Sequence, residues 1–463
     1  VLALGLCASS AGFSGSNSTT NSYVVKIKRR PSGRLSSRDG EDTHVFDPTY
    51  ATAEIQGLLG KYAQAEQFLS GIGLNPDTHP GKGYEPFTHP LLPMLNNTAN
   101  GTMTNTSGTA NTATTRPAPN TNTTQQQIIQ VPGTEEMPLT DDIASGMDVL
   151  YYGSLAFGSN KQSLTVDIDT GSADLWVPVN CRSCGGDSFL AYNSTSYHTL
   201  GQRFSVSYGC GKVSGTLAQD TVSIGSLSSA QQAFGAVKSE TEDFYDAPSD
   251  GLLGLAFGSI AQSKQPTFFE NLMNTRQLAS GAFAVHLQRD QPQGGEVCFG
   301  CFDTTKAMTP ITWNPVVSRV SPPHSLNADK DADQGPRCRR TGPSISVTWP
   351  STTIDTGTTL IYVPDSVASE FYQLVSSSSF YPGGFYTYPC DTALAVTLTF
   401  GGRAFGIDPT DFNLGRTSAN SSDCVGGILA LGQGFPDNLA IVGYSIYDYP
   451  GNRVGFALSI NNR

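Results

Sequence analysis

One stretch of this chain occurs twice. Residues 168–178, Ile-Asp-Thr-Gly-Ser-Ala-Asp-Leu-Trp-Val-Pro, return at 354–364 as Ile-Asp-Thr-Gly-Thr-Thr-Leu-Ile-Tyr-Val-Pro. In each copy an aromatic stands seven positions after the Asp and a Pro nine positions after it. A single Asp-Thr-Gly is a turn and little else. Two copies that each follow an apolar strand and share these offsets predict a duplicated lobe. Its equivalent loops would meet across a pseudo-two-fold axis, bringing Asp169 and Asp355 together.

The residue types suit one chemistry. Carboxylates held this close titrate as a pair, so the proton belongs to both and not to either residue. The ionised member can take a proton from a water between them, and the protonated member can donate to a peptide carbonyl. That supplies general base and general acid with no metal, no cofactor and no covalent intermediate. Gly171 and Gly357 let the backbone pass close to the carboxylates. The hydroxyls of Thr170 and Thr356 can tie one loop to the other, and Ser172 and Thr358 can bond the outer carboxylate oxygens. His residues are few and none lies beside either motif, against a Ser or Cys protease. No ligand cluster supports a metal-dependent hydrolase.

On these motifs the sequence resembles the pepsin family of aspartic endopeptidases, the standard example of a carboxyl pair with split pKa values. The resemblance spans 137–463. It implies a mostly β, bilobal fold with two pseudo-symmetric lobes, and cleavage of extended peptides with apolar side chains on both sides of the bond. Residues 204–215, Phe-Ser-Val-Ser-Tyr-Gly-Cys-Gly-Lys-Val-Ser-Gly, resemble the family's flap hairpin. Tyr208 would then be the flap tyrosine, bonded to Trp176. Residues 250–257 match the segment that cradles the first catalytic loop, and 447–457 match the family's ending. Phe244 and Leu252 fall where the family lines its first specificity pocket, although ordinary core packing accounts for them almost as well. By the same resemblance Cys181 pairs with Cys184, and Cys390 with Cys424. Cys298 and Cys301 read as a further disulfide or as free thiols. Cys210 and Cys338 have no evident partner.

The chain has 463 residues, a net charge of −12 and only 14% charged residues. No basic face points to nucleic acid. Residues 1–22 read as a signal peptide lacking its first residues, with a buried N-terminal strand as the alternative reading. Residues 23–95 read as a prosegment: a basic cluster (Lys26, Lys28, Arg29, Arg30, Arg34, Arg38) precedes an amphipathic helix over 51–69. Around Lys61 and Tyr62 it resembles fungal zymogens of the family. Residues 96–132 form a Thr- and Asn-rich linker with sequons at Asn96, Asn100, Asn105 and Asn122. The N-terminal lobe is expected over 133–315 and the C-terminal lobe over 316–463. Alternating patterns at 149–157 and 164–168 predict strands. Helices are expected over about 267–278 and from Asp365, read as its N-cap. The protein is expected to be a secreted monomer, extracellular or vacuolar, without a membrane anchor. Its partners would be peptide or protein substrates and its own prosegment, acting as inhibitor.

Two places depart from the family. Residues 317–344 read as coil where paired strands belong. Gly443 runs straight into Tyr444 with about seven residues missing. Both look like translated or lost exon boundaries. A catalytically impaired pepsin-like binding protein is the rival reading they leave open.

Overall fold

The computed structural model describes residues 25–26, 45–46, 48, 132–144, 147–208, 211–241, 244–245, 247–289, 291–318, 325–326, 346–347, 352–430, 438–440 and 444–460. Strands dominate. One antiparallel platform runs Thr312–Ser318, Arg453–Phe456, Tyr444–Asp448, Ala282–Leu287, Gln293–Phe299, Glu135–Ala144, with both halves of the chain contributing. Met147–Phe157 extends it into the first lobe, pairing with Gln162–Asp169.

The duplication read from the sequence is present in the pairing. Gln162–Asp169, with Leu164, Val166 and Ile168 buried by alternation, lies parallel to Gly251–Gly254. Leu175–Pro178 then runs antiparallel to that strand and parallel to Leu227–Glu240. In the second half Thr352–Ile354 lies parallel to Asn438–Ala440. Tyr362 of Ile361–Val363 lies antiparallel to Leu439, and its strand runs parallel to Ile428–Ala430. The same three relations hold twice.

Beneath the platform aromatic rings from the two chain halves interlock. Phe283 stacks on Tyr447 at 4.6 Å, Phe269 meets Tyr449 at 4.9 Å, and Phe257 meets Tyr449 edge-on at 4.4 Å. Phe269 comes from the helix Phe268–Asn274, which Thr267 and Glu270 open with a capping box. This helix is shorter than the apolar pattern predicts. Arg276 takes a left-handed φ of 56° and Gln277 N bonds back to Leu272 O, which closes the helix early. The helix Asp365–Gln373 begins as expected, but its N-cap is Pro364, and Asp365 is its first helical residue.

The stretch read as coil is not coil throughout. Ser325–Leu326 forms a short strand between Thr312–Ser318 and Thr352–Ile354, continuing the second lobe's sheet where composition gave no sign of it. Residues 319–324 and 327–345 lie outside the described residues, as do the helix expected at 51–69, the linker, Cys210 and Cys338. Leu253 lies opposite Ile168 in the first half and Ala440 opposite Ile354 in the second. Only three residues separate Ala440 from Tyr444, whose strand is fixed against Ala282–Leu287. Four backbone steps reach about 14 Å at most, so the connection constrains which residues can pair.

Candidate active site

Asp169 ends its strand and Asp355 follows Ile354 directly; both are buried. Each carboxylate is held by its own loop. Gly171 N donates to Asp169 Oδ1 at 2.8 Å, and Gly357 N donates to Asp355 Oδ1 at 3.0 Å. Each loop also faces the opposite carboxylate. A methyl group on Gly357 would lie 2.7 Å from Asp169 Oδ1, and one on Gly171 would run into the Asp355 carboxyl group. A side chain at either position would press on the opposite carboxylate, so glycine permits this close approach.

The threonines lock this approach reciprocally. Thr170 N donates to Thr356 Oγ1 at 3.1 Å, and Thr356 N donates to Thr170 Oγ1 at 3.0 Å. The hydroxyls then donate onward: Thr170 Oγ1 to Ile354 O at 3.0 Å and Thr356 Oγ1 to Ile168 O at 2.5 Å. Four bonds cross between the lobes, all buried, where low dielectric makes them strong and their loss costly.

The two outer positions differ. Thr358 Oγ1 donates to Asp355 Oδ2 at 2.8 Å, as the sequence suggests. Ser172 does not do the same for Asp169. Its carbonyl is pinned by Ala256 N at 2.8 Å, and its hydroxyl is buried with no hydrogen-bond partner among the described residues.

The hairpin of His198–Tyr208 and Gly211–Ile224 pairs in register through Tyr208 opposite Gly211. Trp176 Nε1 donates to Tyr208 Oη at 2.9 Å. Burial, and then the nearby Asp174 and Asp169 carboxylates, push the Tyr208 phenol well above its ordinary value, so it stays neutral. Phe244 sits edge-on to both rings, 5.4 Å from Trp176 and 6.2 Å from Tyr208. Leu252 is buried in the same cluster. Cys181–Cys184 and Cys390–Cys424 are disulfides, and so is Cys298–Cys301, the pair whose state the sequence left open.

Sequence reasoning missed Tyr447. Its hydroxyl donates to Thr170 Oγ1 at 3.5 Å while its ring stacks on Phe283, so the chain's last long strand braces the first loop. Burial raises its phenol to about 12. Tyr449 Oη likewise donates to Leu255 O, next to the strand that flanks Asp169. The Tyr-Asp-Tyr alternation at 447–449 was the available signal, because it puts two rings on one face.

The sequence model of the family described as eukaryotic aspartyl protease matches residues 150–459. An aspartic protease of Phaffia rhodozyma is 35% identical over 338 residues, covering 70% of this chain and 78% of that protein. Human cathepsin D is 30% identical, over 71% of this chain and 85% of its own length. Embryonic pepsinogen of Gallus gallus is 32% identical, over 70% and 84%. Motif, lobe pairing and relatives agree: this chain belongs to the pepsin-like aspartic proteases and is an aspartic-type endopeptidase.

Proposed function

We propose that Asp169 and Asp355 are the catalytic pair and hydrolyse peptide bonds through a shared, activated water. One carboxylate takes the water's proton as the oxygen attacks the peptide carbon; the other acid protonates the carbonyl oxygen. The observation that carries this reading is the reciprocal Thr170–Thr356 contact, with each glycine set against the opposite carboxylate. Gly171, Gly357 and Thr358 border the bound peptide. Tyr208 closes over it from the hairpin, steadied by Trp176, and Phe244 and Leu252 line an apolar pocket beside it. Asp169→Asn and Asp355→Asn should each abolish acid proteolysis without unfolding the chain. Pepstatin should block the unsubstituted enzyme. Near-normal activity in either variant would overturn the assignment.

Residues 23–95 act as an inhibitory prosegment on a secreted zymogen, joined to the enzyme by the linker at 96–132. The similarity to a pepsinogen supports this, as does the basic cluster in an otherwise acidic chain. Near neutral pH the cluster pairs with carboxylates of the mature enzyme. Acid protonates those carboxylates and loosens the pairing, so activation follows acidification. The mature enzyme works as a monomer on peptides and unfolded proteins, outside the cell or in a vacuole. No helix among the described residues is long and apolar enough to cross a membrane.

A further inference from the structure

Phe46 lies in the region read as prosegment, yet its side chain is only 5% exposed, while Val45 beside it is 40% exposed. Among the described residues, its printed neighbours belong to the second lobe. Val45 forms a parallel bridge with Arg416, and Phe46 N donates to Arg416 O at 2.8 Å. The Phe46 ring stands edge-on to Phe385 at 5.0 Å. Phe385 opens the strand Phe385–Pro389, whose Tyr386 and Tyr388 face the opposite way, onto Tyr372 and Phe412. Thr387 shares the face of Phe385, and Val425 lies across from it on the neighbouring strand; all three are buried. A backbone bond from Ala430 N to Gly384 O joins this seat to Ile428–Ala430. That strand pairs with Ile361–Val363, just after the Asp355 loop. A second prosegment contact falls on the same half of the chain, where Val25–Lys26 pairs with Ser346–Val347.

We propose that Phe46 is an apolar anchor that docks the prosegment on the second lobe, with Phe385, Thr387 and Val425 as its seat. The proposal rests on the reading of 23–95 as an inhibitor and adds how that inhibitor is held. The anchor works beside the basic cluster by different physics. Charge pairing weakens in acid and in salt, whereas ring burial does neither directly. Acid therefore loosens the prosegment without freeing it, and Phe46 sets how fast the loosened segment leaves.

The test uses the full-length zymogen and follows acid activation by the appearance of the cleaved chain. F46A should activate about 10- to 100-fold faster, the effect of losing one buried aromatic side chain. That ratio should hold in low and high salt. A variant with Lys26, Lys28, Arg29 and Arg30 changed to Gln should show an effect that shrinks in salt. Should F46A fail to fold, F46L keeps an apolar side chain and should activate at a rate between the two. An F46A or F46L rate equal to the unsubstituted chain, or an acceleration that vanishes in salt, overturns the anchor. Loss of the inhibitory reading itself would look different. The unsubstituted full-length chain would then cut substrate before any cleavage of its own, and the anchor would fall with it.

Discussion

Thr170 bonds to Thr356 and Ile354, and Tyr447 bonds to Thr170 in turn. Replacing it by Val keeps the shape but strands the Thr356 N–H and the Ile354 carbonyl in a buried place. Each unpaired group costs about 1–3 kcal/mol. Thr170→Val should therefore lower the unfolding free energy by about 2–6 kcal/mol in denaturant titration and cut kcat sharply, while Thr170→Ser should retain both. Equal stability of the Val variant would mean the crossing bonds carry no net weight. At this scale the sequence told most of the story. Thr170, Thr356, Gly171 and Gly357 could be assigned from chemistry alone, because carboxylates in close approach need small neighbours and donors. Ser172 could not, since its role depends on where Ala256 fixes its backbone. Phe46 could not either, since its partners stand hundreds of positions away in sequence.

The longer elements were legible wherever periodicity had room to show. The strands Met147–Phe157 and Gln162–Asp169 alternate over several residues, and Thr267 announces its helix by its cap. Ser325–Leu326 is too short to carry a period, so its place in the sheet is set by neighbours and not by its own residues. The strand Glu135–Ala144 also bounds where the prosegment can be removed. Glu135, Glu136 and Met137 pair with Phe299, Cys298 and Val297 inside the platform, and Gly133 O already accepts from Ala279 N at 2.7 Å. A protease needs an extended chain with free backbone groups, so cleavage should fall before Gly133, between about 125 and 132. N-terminal sequencing of the acid-activated protein checks this, and an N-terminus within 134–137 would contradict it.

For the molecule as a whole, buried acids link stability to pH. Burial holds Asp141 at about 7, the neighbouring Asp148 adding to the rise, and burial holds Glu270 at about 7 against the bonds it accepts from Gly258 and Thr267. A carboxyl group raised in this way keeps its proton in the folded state where the unfolded chain has lost it. Its contribution is complete below the ordinary carboxyl range and declines as pH rises towards 7. For Glu270, raised from 4.5, that decline is on the order of 3 kcal/mol. The mature enzyme should therefore unfold at lower urea near pH 7.5 than near pH 4, and Glu270→Gln should flatten the difference. A midpoint that rises towards neutrality would refute this account.

Thr170 reaches Ile354 as Thr356 reaches Ile168, the same patch meeting itself about a two-fold axis. That is the isologous interface of a symmetric dimer, here with both protomers on one chain. Tethering makes the association intramolecular, so the site stays assembled however far the enzyme is diluted. It also releases the two copies from identity. Separate protomers carrying one sequence would have to place the same residue beside both acids. In this chain Thr358 donates to Asp355 while the Ser172 hydroxyl has no partner among the described residues, and two copies of one sequence could not carry serine at one position and threonine at the other.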